Sequence, residues 1–163
     1  MRRVLQSALV LLFAMAALLL ASPYILYRVG LHGVEGRPQK PGQLATEQQQ
    51  ASVWKAARGE GAPQIGTMNP YSMAAGFLIE PGARTPAGER IAWQVASDYL
   101  LTHRRRQGTL WWHLSGAALM IWLTRNWSDE EILSAAFQAS TNRVVRREAI
   151  DAPRSSQDLP RSR

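Results

Sequence analysis

The sequence predicts an all-α protein in which an apolar N-terminal helix precedes a small helical domain. Three observations support this: a long apolar run at the N-terminus, apolar residues at helical spacing in later segments, and weak strand patterns throughout. At 163 residues the chain has room for one modest domain with appendages. The expected organisation is a transmembrane anchor at 1–28, a linker at 29–45, an exported helical domain at 46–150 and a disordered tail at 151–163.

The N-terminal segment predicts the compartment. Arg2 and Arg3 precede an apolar run from Val4 to Ala21, and Tyr24 to Tyr27 extends it. A membrane-spanning helix needs about 20 apolar residues, and flanking positive charge tends to stay in the cytoplasm. We therefore expect a single-pass protein of the bacterial inner membrane, with a cytoplasmic N-terminus and a periplasmic domain.

Two alternatives to a retained anchor remain open. The small residues among Ala17 to Ala21 fit a cleavable signal peptide, although leucines interrupt them and Pro23 stands close to the site where cleavage would occur. The segment could also be a buried core helix. The tyrosines, which are typical of the membrane interface, favour the anchor.

Composition excludes some chemistry. The chain has no cysteine, so disulfides, a thiolate nucleophile and a cysteine metal site are excluded. Its net charge is +7, and 17 of its 19 basic residues are arginine. Such a charge is typical of proteins that bind polyanions, but it can also reflect arginine usage alone.

The linker is rich in Gly and Pro and contains His32, which we expect to be solvated.

The first part of the domain should contain one clear helix. Thr46 and Gln49 form a capping box and Gly59 is a stop signal, so a helix is expected from Glu47 to Arg58. The Gly- and Pro-rich stretch that follows should be loop-like, with at most one helical turn around Ala74 to Ile79.

Three further helices follow. Thr85 as N-cap and Pro86 at the first helical position begin one that carries an apolar stripe and ends in three arginines. The next, Thr109 to Asn126, is apolar almost all round and too short to span a bilayer, so we expect it at the centre of the core. Ser128 and Glu131 cap the last helix.

The histidines and an arginine run are the polar residues that could form a metal or anion site. His103 and His113 are ten residues apart without acidic neighbours at ligand spacing, so we expect no metal and no cofactor. The Arg104, Arg105 and Arg106 run suits anionic lipid headgroups or the pyrophosphate of a lipid-linked precursor, or it is simply a solvated helix end. Export argues against nucleic acid as a partner.

The segment from Glu89 to Gln138 resembles the peptidoglycan glycosyltransferase domain of penicillin-binding proteins (glycosyltransferase family 51), which has a lysozyme-like helical fold. "ERIAWQVASDYLL" is similar to the family's Ser-Thr-Ile-Thr-Gln-Gln-Leu helix, with Gln94 as its second glutamine. "WHLSGAALMIWLTRNWSDEEILSAAFQ" is similar to the helices that follow, with Trp127 and Ser128 at the corner between them. The resemblance implies a lysozyme-like fold, and it implies Glu47 as the best match to the catalytic base.

The departures from the family's pattern fall on its polar residues. The Arg-Lys-x-x-Glu motif is replaced at Trp112, His113 and Gly116, and a later Tyr and Asn are replaced by Ala136 and Gln138. These residues position pyrophosphate and transfer protons, so their loss should remove several orders of magnitude in rate.

We therefore expect a catalytically degenerate, membrane-anchored protein that binds a cell-wall precursor, a glycan or an envelope protein. Its substrate-binding residues would be Gln94, Arg104, Arg105 and Arg106. Two alternatives are an active glycosyltransferase that uses Glu47 or Glu60, and an unrelated membrane-anchored interaction module.

Overall fold

The computed structural model describes residues 2–79 and 84–151. Within these ranges the chain forms six α-helices and no β-strand, which confirms the all-α prediction. Only residue 151 of the predicted tail lies inside the described part of the chain. The helices are α1 (Arg2–His32), α2 (Glu47–Ala56), α3 (Pro70–Ile79), α4 (Ala87–His103), α5 (Thr109–Asn126) and α6 (Asp129–Asp151).

Helix α1 is long and apolar enough to cross a membrane, judged by length and composition; the span Gln6–His32 has a mean hydropathy of 2.4. Its large apolar side chains between Leu9 and Leu20 are all more than half exposed. A buried core helix does not fit this exposure. Pro23 lies inside the helix without ending it.

The predicted boundary between anchor and linker at residue 28 requires correction. Helix α1 continues to His32, and Gly30 and Leu31 are buried. A Cβ atom added at Gly30 would lie 2.5 Å from the carbonyl oxygen of Leu114 and 2.7 Å from Cβ of Ala118. Glycine therefore allows α1 to lie directly against α5, and the helix enters the domain without a break.

The remaining residues of the predicted linker, 33–45, are tied to the domain along their length; we call them the tethered segment. The amide of Glu35 donates to the carbonyl of His103 at 2.7 Å, and Lys40 pairs with Glu131 at 2.9 Å. Farther along, the amide of Ala45 donates to Oγ of the fully buried Ser134 at 2.8 Å. Because these bonds join distant parts of the chain, composition alone could not reveal them.

Helix ends follow the predicted capping, with some shifts. Both capping boxes are confirmed: Thr46 with Gln49 on α2 and Ser128 with Glu131 on α6. Helix α2 ends at Ala56, not Arg58, because Arg58 adopts a left-handed conformation with φ of 56°.

Two other helix starts differ from expectation. Pro86 is the N-cap of α4 and makes no side-chain cap bond, so Thr85 is not the cap. Helix α3 covers ten residues where one turn at most was expected. The sequence signal for its start is Asn69 followed by Pro70, an N-cap residue before proline at the first helical position. In the structure, Oδ1 of Asn69 accepts from the amides of Tyr71 and Ser72.

The core forms where α4, α5 and α6 meet, and α2 closes one side with Trp54. Helix α5 is central, as predicted: Leu119 and Leu123 are fully buried, and α1, α4 and α6 all pack against it. Met68, ahead of α3, is fixed to this helix, because its amide donates to the buried Thr124 hydroxyl at 3.1 Å.

Candidate functional site

Gln94, the expected substrate-binding amide, is bonded within the protein. Its Nε2 donates to the carbonyl oxygen of Ala136 on α6 at 3.1 Å. The residue is half-buried between α4 and α6. Arg143 and Asp98, 3.9 Å apart, link the same two helices. The Gln94 side chain therefore joins α4 to α6 through a hydrogen bond.

Gly116, which the sequence resemblance pairs with a carboxylate, has surroundings that leave no room for such a side chain. A Cβ atom added there would lie 2.5 Å from Cζ3 of Trp93. The Trp93 ring stacks on His113, with centroids 5.9 Å apart and planes 15° apart. An indole therefore fills the space between α4 and α5 at this level.

Glu47, the expected base of an active enzyme, is exposed in the first turn of α2. Among the residues that the structure describes, no hydrogen bond or ion pair involves its side chain. A carboxylate at this position stabilises the positive end of the helix dipole. This stabilisation accounts for an acidic residue at position 47 without a catalytic role.

Arg90, in the first turn of α4, has a structural partner. Its guanidinium donates to the carbonyl of Ala57, the C-cap residue of α2. A cation at this end of a helix satisfies a free carbonyl and opposes the negative end of the dipole. The first turn of α4 is thereby joined to the end of α2.

The three expected binding arginines lie between α4 and α5, at the opposite end of α4 from Arg90. The guanidinium of Arg104 lies 5.7 Å from the ring centroid of Trp112, and that of Arg106 lies 4.2 Å from the ring of Trp111. Such cation–π contacts hold a charged side chain in place. Ten residues of helix, roughly 15 Å, separate Gln94 from Arg104, so the four predicted residues do not form one site.

Arg105 lines a shallow hollow of about 390 Å³ at the end of α1. The other residues lining it are Leu31, His32, Val34, Gly36 and Arg37. The backbone here is fixed, because the amide of Arg105 donates to the carbonyl of Gly33 at 2.9 Å. Three basic side chains and no acidic one therefore share the hollow.

Arg37 is oriented by the chain around it. Its guanidinium donates to the carbonyl of Gly36 and, at 3.5 Å, to that of Leu31 in the last turn of α1.

The charges of Arg37 and Glu35 both act on the Tyr99 hydroxyl. Burial raises the pKa of this hydroxyl, while the Arg37 charge opposes the rise and the Glu35 charge adds to it. Of the two ion pairs found in the described ranges, neither includes Arg37 or Arg105.

A second hollow, of about 410 Å³, lies beside α2. Its wall includes Trp54, whose Nε1 donates to the carbonyl of Glu60 at 3.4 Å, together with Gln48, Ser52 and Lys55. Gly59 lies directly beneath the indole.

The sequence analysis placed His32 and Arg37 in the linker and assigned neither to a site; His32 is exposed, as expected. The signal for them in the sequence is the basic character of the chain directly after the apolar run. In the portions of the chain that the structure covers, no group of three His, Asp or Glu residues is placed to hold a metal.

The chain was compared with protein-family models, curated proteins and solved structures, and none of them matches it.

Proposed function

We propose that this protein is held in the inner membrane by α1 and carries a periplasmic domain with the helix pattern of a peptidoglycan glycosyltransferase but without its chemistry. On this account the lysozyme-like arrangement is a scaffold. It serves to bind a lipid-linked cell-wall precursor, with a glycan or an envelope protein as the alternative ligands.

The observation that carries the proposal is the Trp93 ring over Gly116. In the proposed alignment Gly116 takes the place of a carboxylate of the active enzymes. Here the Trp93 indole occupies the space beside it, and the neighbouring residue Gln94 is bonded to a backbone carbonyl. Neither position presents a free polar side chain to a substrate, which supports a scaffold without catalysis.

Anchoring is supported by the exposed apolar surface of α1 and by Arg2 and Arg3 before it. The chain has no cysteine, so a single Gln107→Cys substitution, in the exposed turn between α4 and α5, gives a specific label. A membrane-impermeant maleimide should label this variant in spheroplasts. Labelling only after permeabilisation would place the domain in the cytoplasm and contradict the proposal.

The binding role is tested with the full-length protein, purified in detergent and immobilised. Radiolabelled lipid-linked precursor should be retained by the protein and released by unlabelled precursor. Failure to retain either the precursor or soluble glycan strands would reject the ligand-binding role. Stable capture of a purified envelope protein by the same column would then favour the interaction module.

A further inference from the structure

The basic hollow at the end of α1 has features of an anion site. His32 and Arg37 come from the end of α1 and the stretch directly after it, Arg105 comes from the turn after α4, and all three line one concave surface. Arg104 and Arg106 stand on either side of Arg105 in the sequence and are held against tryptophans. The hollow itself is lined by three basic side chains and no acidic one, and Glu35 is the acid that neighbours the lining residues in the sequence.

Guanidinium groups bind phosphate oxygens through paired, charge-assisted hydrogen bonds. Arg37 is already oriented by carbonyls of the chain, and the Arg105 backbone is fixed to Gly33. Little ordering is then required of the backbone when an anion binds. Preorganisation of this kind favours a small, highly charged group.

The position of the hollow relative to a membrane follows from how α1 and α5 pack. Gly30 lies beside Leu114 and Ala118, whereas Gly33 lies beside Trp111 and Ser115. Later residues of α1 thus meet earlier residues of α5, so the two helices run antiparallel. The start of α5 and the arginines before it lie at the end of α1 farthest from its N-terminus.

A distance estimate places this end at the outer edge of the lipid headgroups. The apolar extension of α1 runs to Tyr27, and from Tyr27 to His32 is five residues of continuous helix, or roughly 8 Å. The headgroup layer on one face of a bilayer is about 5–8 Å thick. In the single-pass arrangement proposed above, the hollow lies where the headgroup layer meets water.

We propose that His32, Arg37 and Arg105 form a binding site for a phosphate or pyrophosphate group presented at the membrane surface. Only the depth of the site, and its use by a cell-wall precursor, rest on the proposed function. The anion site itself requires no glycosyltransferase ancestry. Binding of inorganic pyrophosphate and retention of precursor are separate measurements, so either proposal can fail alone.

The test is calorimetric titration of the full-length protein in a neutral detergent with inorganic pyrophosphate at low salt. Arg105→Gln should weaken binding about ten- to a hundredfold, the loss of one charge-assisted hydrogen bond. Arg105→Lys, which keeps the charge, should restore part of it. The fixed backbone bond to Gly33 makes this side chain the safer one to change, since Arg37→Gln also removes bonds within the fold.

Arg125→Gln is the matched control, because Arg125 is an exposed arginine at the other end of α5. It should leave the affinity unchanged. Equal weakening by both variants would mean that only net charge attracts the anion, and it would overturn the site, as would undetectable binding by the unmodified protein.

Repeating the titration in nanodiscs of phosphatidylcholine and of phosphatidylglycerol distinguishes bilayer headgroups from other sources of phosphate. A site that binds a phosphate other than the bilayer's own headgroups predicts the same ratio of unmodified to Arg105→Gln affinity in both lipids. A ratio that falls to one in phosphatidylglycerol would show that bilayer headgroups already occupy the site, which overturns its assignment to another phosphate.

Discussion

The side-chain amide of Gln94 and the backbone carbonyl of Ala136 are joined by a 3.1 Å hydrogen bond across α4 and α6. The bond gives Gln94, which the sequence analysis expected to bind substrate, a structural role between two helices. A substrate-binding amide must be free to meet its ligand, whereas this one spans two helices of the core. Beside Gly116, the Trp93 ring likewise leaves no space for a polar side chain.

Gln94→Ala should lower the free energy of unfolding by about 1 kcal/mol, because it removes one partly buried hydrogen bond. Urea denaturation followed by tryptophan fluorescence measures this. Gln48→Ala is the control, since Gln48 is exposed on α2 and should change stability little. Unchanged stability in Gln94→Ala, together with weaker precursor retention, would show that the amide serves the ligand instead.

Gly116→Ala should cost about 1–3 kcal/mol of stability, since the added methyl meets the Trp93 ring. In a Trp93→Ala background the same change should cost much less, because the space beside Gly116 is then open. The double-mutant cycle measures this coupling. Equal costs in both backgrounds would mean that Trp93 does not fill the position.

Gly30→Ala should separate α1 from α5 and destabilise the domain by about 1–3 kcal/mol, because the backbone of Leu114 leaves no room for a methyl group. Gly42→Ala is the matched control, since nothing lies within 4 Å of a Cβ added there. Thermal unfolding in detergent compares them. A Gly30→Ala protein as stable as the control would indicate that α1 is only loosely joined to the domain.

The Lys40–Glu131 pair predicts a pH dependence. The hydrogen bond from Lys40, and then that from the Ser128 amide, lower the pKa of the Glu131 carboxyl from its ordinary 4.5. A lowered folded-state pKa means that its stabilisation is fully present above pH 4.5 and is lost as the pH falls through the lower value. The tethered segment should therefore loosen in acid.

Glu131→Gln tests this dependence, because the amide oxygen can still accept the capping bond from Ser128 while the charge is gone. Its stability should fall less steeply below pH 4.5 than that of the unmodified protein. Denaturation curves from pH 7 to pH 3 measure the two slopes. Parallel slopes would show that the pair contributes nothing.

Local sequence signals predicted much of this fold. The capping boxes at Thr46 and Ser128 and the all-round apolar pattern of α5 act within a few residues, so they were readable. The tethered segment was not, because Lys40 and Ala45 are held by residues far away in the sequence. Gly30 likewise looked like part of a linker until its contact with α5 was seen.

The candidate site was less predictable than the fold. The arginine run was visible, but it was grouped with Gln94, which the structure places on a different surface. His32 and Arg37 join Arg105 only because α1 continues into the domain and the chain then turns over the end of α4. That arrangement depends on long-range backbone bonds, which residue types alone do not predict.

The most direct test of the central claim is turnover of lipid-linked precursor by the full-length protein in detergent, with glycan polymer as the readout. The account predicts that precursor is bound and recovered intact. Polymer yield should be at background for the unmodified protein and for Glu47→Gln alike. Polymer formed by the unmodified protein and abolished by Glu47→Gln would contradict the account, because it would show that the scaffold has kept its chemistry.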